Sequence, residues 1–351
     1  MDDLKGRIEE RWNSLTKPPG SLGRLEEMVT RYGVIRDETM PRLERKGMYV
    51  FCGDHGVARA GVSAFPQEVT RQMVLNLLRG GAAINVLCRH FNIEPVVVDM
   101  GVIGSAAEGA ADRRIGPGTA NFLEGPAMSG EQAGRALAAG RELAGKGAAR
   151  YDLCAVGEMG IGNTTSAAAL LCAFSGLPPE ECVGRGTGLD DAGLERKSNA
   201  IRRALEIHRP DPRDPLRVLS ALGGFEIGAI AGFILGAAAH RLPIVLDGFT
   251  SCSAALVARA MEPASLETVF FSHRSAERGH ARMLEILGVE PYFALDMRLG
   301  EGTGAALTIG LLEAALRLYR EMATFSSAGV SNAEASRNKA EEFRIRSLPA
   351  R

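Results

Sequence analysis

Apolar residues near the start of the chain fall at Leu4, Ile8, Trp12 and Leu15, one face of a helix with charges elsewhere, and predict a helix over residues 2–15. The turn Thr16-Lys-Pro-Pro-Gly-Ser-Leu-Gly23 stops it, and a second amphipathic helix follows from about Arg24 to Arg36. Two apolar stripes need a cover, either the chain's own α/β body or a second subunit, and the pattern leaves both open.

From Gly47 the pattern changes. Six short apolar runs read as strands: Met48–Cys52, Pro95–Val98, Leu153–Val156, Ile244–Leu246, Thr268–Ser272 and Tyr292–Leu295. Most lack polar alternation, as strands do when a parallel sheet is covered on both faces. Between them lie helical stretches: 66–78, 82–90, 130–144, 165–174, 194–208, 225–239, 253–259 and 275–287. Alternating strands and helices predict an α/β chain, a three-layer doubly wound fold with a mainly parallel sheet of about six strands. No internal repeat is visible. The organisation expected is a helical segment 1–45, an α/β body 46–322 and a polar tail 323–351. The longest uncharged apolar run, Ile227 to Ala239, is shorter than the roughly 20 residues of a membrane span and reads as a buried helix. Gly228, Gly232 and Gly236 place one small residue per turn on it, which predicts close helix packing.

Composition adds exclusions. A net charge of -1 on 351 residues argues against a general nucleic-acid or anionic-membrane surface. Glycine is abundant, 42 residues, with no collagen period, so it is expected in tight turns and close packing. The six cysteines (52, 88, 154, 172, 182 and 252) are scattered with no CxxC pair. That predicts buried, reduced thiols in a cytoplasmic protein, with neither a disulfide frame nor a zinc site. The opening Met-Asp-Asp-Leu-Lys is charged at once and is not read as a signal peptide.

The strand ends carry the chemistry. They run into Gly53-Asp-His-Gly56, Asp99-Met-Gly101, Gly157-Glu-Met-Gly-Ile-Gly-Asn-Thr-Thr165, Asp247-Gly-Phe-Thr-Ser251, Ser272-His-Arg-Ser275 and Gly300-Glu-Gly302. In a parallel sheet these ends share one edge, where ligands bind. Glu301, between two glycines and just before a helix starting near Thr303, puts a carboxylate at that edge. An isolated acid at a helix start complements the dipole; the flanking glycines and the convergence of six such turns favour a functional role.

Gly157–Thr165 opens a helix with small residues and free backbone N–H groups, an anion site. It lacks the Lys-Ser/Thr pair of a Walker A loop and the GxGxxG spacing of a dinucleotide fold, so the ligand group expected is a single phosphate, as in a mononucleotide. Gly184-Arg-Gly-Thr-Gly188 is a second such loop, with Arg185 and Lys197 as candidate positive partners. Asp54-His55 reads as a packed, hydrogen-bonded pair, and His273 with His280 lacks metal-ligand spacing. Asp247 near Ser251 and Ser253 has no nucleophile elbow.

Six motifs in order then carry a resemblance: Lys17-Pro-Pro-Gly-Ser-Leu-Gly-Arg-Leu-Glu26, Gly53-Asp-His-Gly-Val57, Gly157 to Thr165, Leu246-Asp-Gly-Phe249, Ser272-His-Arg-Ser-Ala-Glu277 and Arg298-Leu-Gly-Glu-Gly-Thr-Gly-Ala305. From about Lys17 to Met322 the chain resembles the nicotinate-nucleotide–dimethylbenzimidazole phosphoribosyltransferases. The resemblance implies a parallel α/β sheet with a small helical domain built partly from the N-terminal segment, a homodimer, and no metal or cofactor. It implies transfer of the phosphoribosyl group of nicotinate mononucleotide to 5,6-dimethylbenzimidazole, giving α-ribazole 5′-phosphate, the lower-ligand nucleotide of cobalamin, and nicotinate. By motif, Glu301 resembles the general base. Glu158, Met159 and Gly160 resemble the surroundings of the ribose and phosphate, and Gly184, Gly186, Lys197 and Ser275 the phosphate-binding set. Ser63-Ala-Phe-Pro66 is implied to line the base pocket, with Phe65 in place of a small polar residue, which leaves the preferred base open: other benzimidazoles, adenine or phenols are alternatives. A nucleotide-binding regulator without chemistry is the alternative outside enzymes.

Overall fold

The computed structural model describes residues 2–186 and 188–331. Its sheet has six strands: β1 Lys46–Gly53, β2 Glu94–Gly101, β3 Ala111–Asp112, β4 Leu153–Met159, β5 Ile244–Leu246 and β6 Val269–Phe271. Their order is β3-β2-β1-β4-β5-β6, and every pairing is parallel. The chain enters at β1, moves out through β2 and β3, and returns to the other side of β1 with β4. The strand order therefore reverses between β1 and β4, and a crevice opens outside their carboxyl ends. Cys52 and Met159 are register partners there.

The apolar runs that predicted strands are buried: all eight residues of β1 and all three of β5. One expected strand does not form. Tyr292–Leu295 makes a single parallel bridge, Phe293 with His273, and the Arg274 N–H donates to the Phe293 carbonyl at 2.9 Å. The ladder then stops, because Asp296 takes a left-handed φ of 53° and Leu295 is 64% exposed. The sixth strand is instead Ala111–Asp112, too short for any periodicity. Two helices that the pattern missed, Pro179–Cys182 and Pro215–Leu222, each carry proline in the first turn.

The described chain forms two compact units. The larger is Leu43–Gly310, and the smaller joins residues up to Arg42 with those from Leu311 onward.

In the larger unit, Gly130–Arg150 packs against Phe225–Ala239 at backbone distance. A Cβ at Gly140 would strike the Ala229 carbonyl, and one at Gly232 the Leu137 carbonyl. The small-residue face read from the sequence is this contact.

In the smaller unit, Asp2–Ser14 and Arg24–Arg36 are helices, as the stripes predict. Trp12 is buried with its ring 4.8 Å from Tyr319, and the Thr16 N–H donates to the Ala323 carbonyl at 3.0 Å. The apolar stripe of the first helix thus has a cover within the same chain. The Lys17–Glu26 motif is a closed turn: Lys17 Nζ lies 2.8 Å from Glu26 Oε1, which also accepts the Leu22 N–H. Part of the expected tail is a single helical turn, Phe325–Ala328, capped by Thr324; residues 332–351 lie outside the described residues.

All six cysteines are free and buried. Among the described residues no helix is long and apolar enough to cross a membrane.

Candidate active site

At the switch point lies a cavity of about 330 Å³. Glycine makes it possible. A Cβ at Gly160, just after β4, would strike the Gly53 carbonyl at the end of β1, and one at Gly157 would strike the Glu301 backbone. The strand-end loops therefore pack backbone to backbone, leaving their side chains to line the space.

Glu301 lines it from the third of these loops. Gly300, Glu301 and Gly302 have φ of 86°, 64° and 95°, three consecutive left-handed residues. Glycine adopts this readily, but a glutamate does so only when its surroundings force it. Glu301 is 5% exposed, and its Oε2 has no hydrogen-bond partner. Burial raises its pKa above the ordinary glutamate value, the Ile84 backbone N–H pulls it back, and the charge of Asp247 raises it further. Burial is the largest of these effects, and the net direction is upward.

Glu158 and Met159 line the cavity from the end of β4, with Gly160 beside them. Glu158 is buried, and its Oε2 accepts a hydrogen bond from Asn163 Nδ2. Burial first, then the charges of Asp247 and Glu226, push its pKa up to about 8, so at neutral pH it is a protonated acid. The loop beyond is pinned by the Ile161 N–H, which donates to Thr70 Oγ1 at 3.0 Å. Gly162, at φ 96°, then starts the helix Asn163–Ser175.

Thr164, Gly186 and Ser275 also lie on the cavity wall. Lys197 and Gly184 do not line the cavity; they lie behind it. Lys197 is fully buried, and its Nζ donates to Thr164 Oγ1 at 2.8 Å and to the Gly184 carbonyl at 3.5 Å. Burial lowers its pKa to about 8. Arg185 points elsewhere: its guanidinium bonds Asp191 Oδ1 at 2.5 Å and the Leu189 carbonyl at 2.9 Å. The Ser275 N–H donates to His280 Nδ1, a buried imidazole whose pKa falls to about 3. Asp54 and His55 are both buried but bond different partners: His55 reaches Ser166 and Glu226, while Asp54 accepts the Ile103 N–H.

Sequence reasoning thus names seven residues on the cavity wall, Phe65 among them, and two directly behind it. It misses Thr164 as the partner of Lys197, and Val69 and Met73, which line the cavity with Phe65. Val69 and Met73 are four apart on the helix Glu68–Leu78. Nothing in the residues alone says which face of that helix meets the site. Asp247, at the Leu-Asp-Gly-Phe strand end, is not among the residues that line the cavity.

A parallel sheet with such a cavity at its switch point defines an α/β enzyme. A family model described as phosphoribosyltransferase matches residues 2–330. The nicotinate-nucleotide–dimethylbenzimidazole phosphoribosyltransferase of Desulforamulus reducens is 53% identical over 329 residues, spanning 93% of this chain and 94% of that protein. The protein of the same name from Chloroflexus aggregans is 52% identical over 333 residues, 94% of each. The crystal structure of CobT from Thermus thermophilus matches with a TM-score of 0.89 at 49% identity, covering 94% of this chain and 100% of that one. The chain belongs to the nicotinate-nucleotide–dimethylbenzimidazole phosphoribosyltransferase family and is a pentosyltransferase.

Proposed function

We propose that the enzyme transfers the phosphoribosyl group of nicotinate mononucleotide to 5,6-dimethylbenzimidazole, with Glu301 as general base, in cobalamin lower-ligand assembly. One benzimidazole nitrogen attacks ribose C1′. The C1′–nitrogen bond to nicotinate breaks, and its electron pair leaves with the neutral pyridine ring. The other benzimidazole nitrogen loses its proton to Glu301, and the products are nicotinate and α-ribazole 5′-phosphate. The observation that carries this reading is Glu301, its Oε2 without a hydrogen-bond partner, on the wall of the same cavity that Thr164, Gly186 and Ser275 line, with Lys197 behind Thr164. A proton acceptor and a group of anion-binding candidates share the wall of one space. In this reading Lys197, Ser275, Gly184 and Gly186 hold the phosphate. Glu158, protonated, donates a hydrogen bond towards the ribose beside Met159 and Gly160. Phe65, Val69 and Met73 give the base an apolar wall.

Incubation with both substrates, followed by chromatography with mass detection, tests the reaction. Nicotinate and ribazole phosphate in equal amounts are expected. Nicotinate alone means hydrolysis, and neither product from folded enzyme contradicts the assignment. We also propose a cytoplasmic homodimer; a monomer mass in light scattering at micromolar concentration would contradict the dimer.

A further inference from the structure

Asp247 follows β5 and is 1% exposed. Its Oδ2 accepts the Gly302 N–H at 2.9 Å, and its Oδ1 accepts the N–H groups of Gly304 at 2.8 Å and Ala305 at 3.3 Å. Both oxygens accept, as in an ionised carboxylate. These donors are among the N–H groups that a helix start leaves without intrahelical acceptors, here at the start of Thr303–Glu321. Asp247 is itself tied across the sheet. Its N–H donates to the Val156 carbonyl of β4, and its carbonyl accepts the Ser272 hydroxyl beyond β6 at 2.8 Å. One residue thus joins the ends of three neighbouring strands, through its backbone, to the residues just after Glu301, through its carboxylate.

We propose that Asp247 is the positioning residue for Glu301: its carboxylate clamps the Gly302, Gly304 and Ala305 N–H groups and so holds the left-handed Gly300-Glu301-Gly302 turn with the Glu301 carboxylate in the cavity. Asp247 does not line the cavity and acts only through Glu301. A turn of three left-handed residues, one of them a glutamate, persists only where its surroundings determine it. Close backbone packing of Glu301 and Gly302 against Gly157 supplies part of this constraint. The directional bonds to Asp247 supply the remaining constraint. The inference deepens the base reading above, which it uses for its kinetic consequence only.

Amide hydrogen exchange tests the clamp without any reference to activity. In the wild-type enzyme Gly302, Gly304 and Ala305 should be protected although they start a helix; rapid exchange at all three overturns the proposal. Asp247→Asn keeps the size but replaces one acceptor with an NH2 group that faces an N–H. It should speed exchange at these amides by about tenfold or more, while amides from Leu312 onward stay protected.

Kinetics of the same variant supply a second readout. A shift of about 1 Å in a reacting group costs up to about 10²-fold. We expect kcat to fall about 10- to 100-fold with KM for nicotinate mononucleotide within about twofold. The charged or titratable groups facing Glu301 are Asp247, Glu158 and Cys52, and those facing Asp247 are His273, Glu158 and Cys252. Losing the Asp247 charge removes a like charge from this set, so the acid limb of the kcat profile should move to lower pH. Unchanged exchange at the three amides together with unchanged kcat overturns the proposal. A fall in kcat with the acid limb unmoved leaves Asp247 a merely structural residue and overturns it too. Should Glu301→Gln retain full turnover, the base reading fails, and the exchange measurements still decide the clamp.

Discussion

Lys197 Nζ donates to Thr164 Oγ1 at 2.8 Å, a neutral partner for a fully buried ammonium. Such a charge is costly to hold, and its pKa of about 8 in place of the usual 10.5 records that cost. Below about pH 8 the group is protonated and ready for a phosphate. Above it the ammonium is lost. KM for nicotinate mononucleotide should therefore rise as pH passes about 8, with kcat less affected. Steady-state kinetics between about pH 6.5 and about 9.5 check this.

Lys197→Met should raise that KM about 10- to 100-fold, the usual worth of a charge-assisted hydrogen bond. It should not lower the melting temperature at pH 7, because an apolar chain replaces a buried charge without an acid partner in hydrogen-bond range. The folded protein disfavours the charged lysine, so its penalty is complete below about pH 8 and fades as pH rises towards the unfolded value. A variant that melts earlier at neutral pH would show the lysine to be a net stabiliser.

Glu158 behaves in the opposite sense. Its pKa of about 8 against the usual 4.5 means that the folded state keeps the proton while the unfolded state releases it. Stability should decline as pH rises from about 4.5 to about 8 and then level. Glu158→Gln, a neutral mimic, should remove that decline and keep nucleotide binding within a few-fold. Thermal melting of both proteins across this range measures the difference.

Gly140 meets the Ala229 carbonyl where the helices Gly130–Arg150 and Phe225–Ala239 cross. Gly140→Ala forces the helices apart and should cost about 2–3 kcal/mol, as overpacking of a tight core does. Urea unfolding gives the value; a cost near zero would mean that the contact yields freely.

Phe65 is 50% exposed and lines the cavity beside Val69 and Met73. Phe65→Ser should change KM for the base and the ranking of competing bases while leaving KM for the nucleotide within about twofold, since Phe65 is not among the residues assigned to the phosphate. Competition between equimolar bases, read by mass spectrometry, reports the ranking. An unchanged ranking would remove Phe65 from base choice.

Much of this site is legible in the residues because parallel sheets put all strand ends on one edge. Recognising β1, β4 and β5 as apolar runs places Gly53, Glu158 and Asp247 together without any coordinates. The small-residue face of Phe225–Ala239 is legible for a similar reason, since only close packing needs glycine at 228, 232 and 236. Failures arise where a run of apolar residues is not a ladder. Tyr292–Leu295 looks like a strand, yet its backbone turns away at Asp296, and two residues at Ala111–Asp112 pair instead. The direction of the Glu301 pKa depends on burial, opposed by the Ile84 N–H and helped by the charge of Asp247, both distant in sequence, and only the fold brings them together.

The most direct test of the account is the turnover of Glu301→Gln beside its nucleotide affinity. The substitution keeps the shape and removes the proton acceptor. With Glu301 as base, kcat falls by about 10² or more, the usual size of a general-base effect, and the Kd for nicotinate mononucleotide stays within about twofold. Near-normal turnover with dimethylbenzimidazole would contradict the account and leave Glu301 as part of the cavity wall.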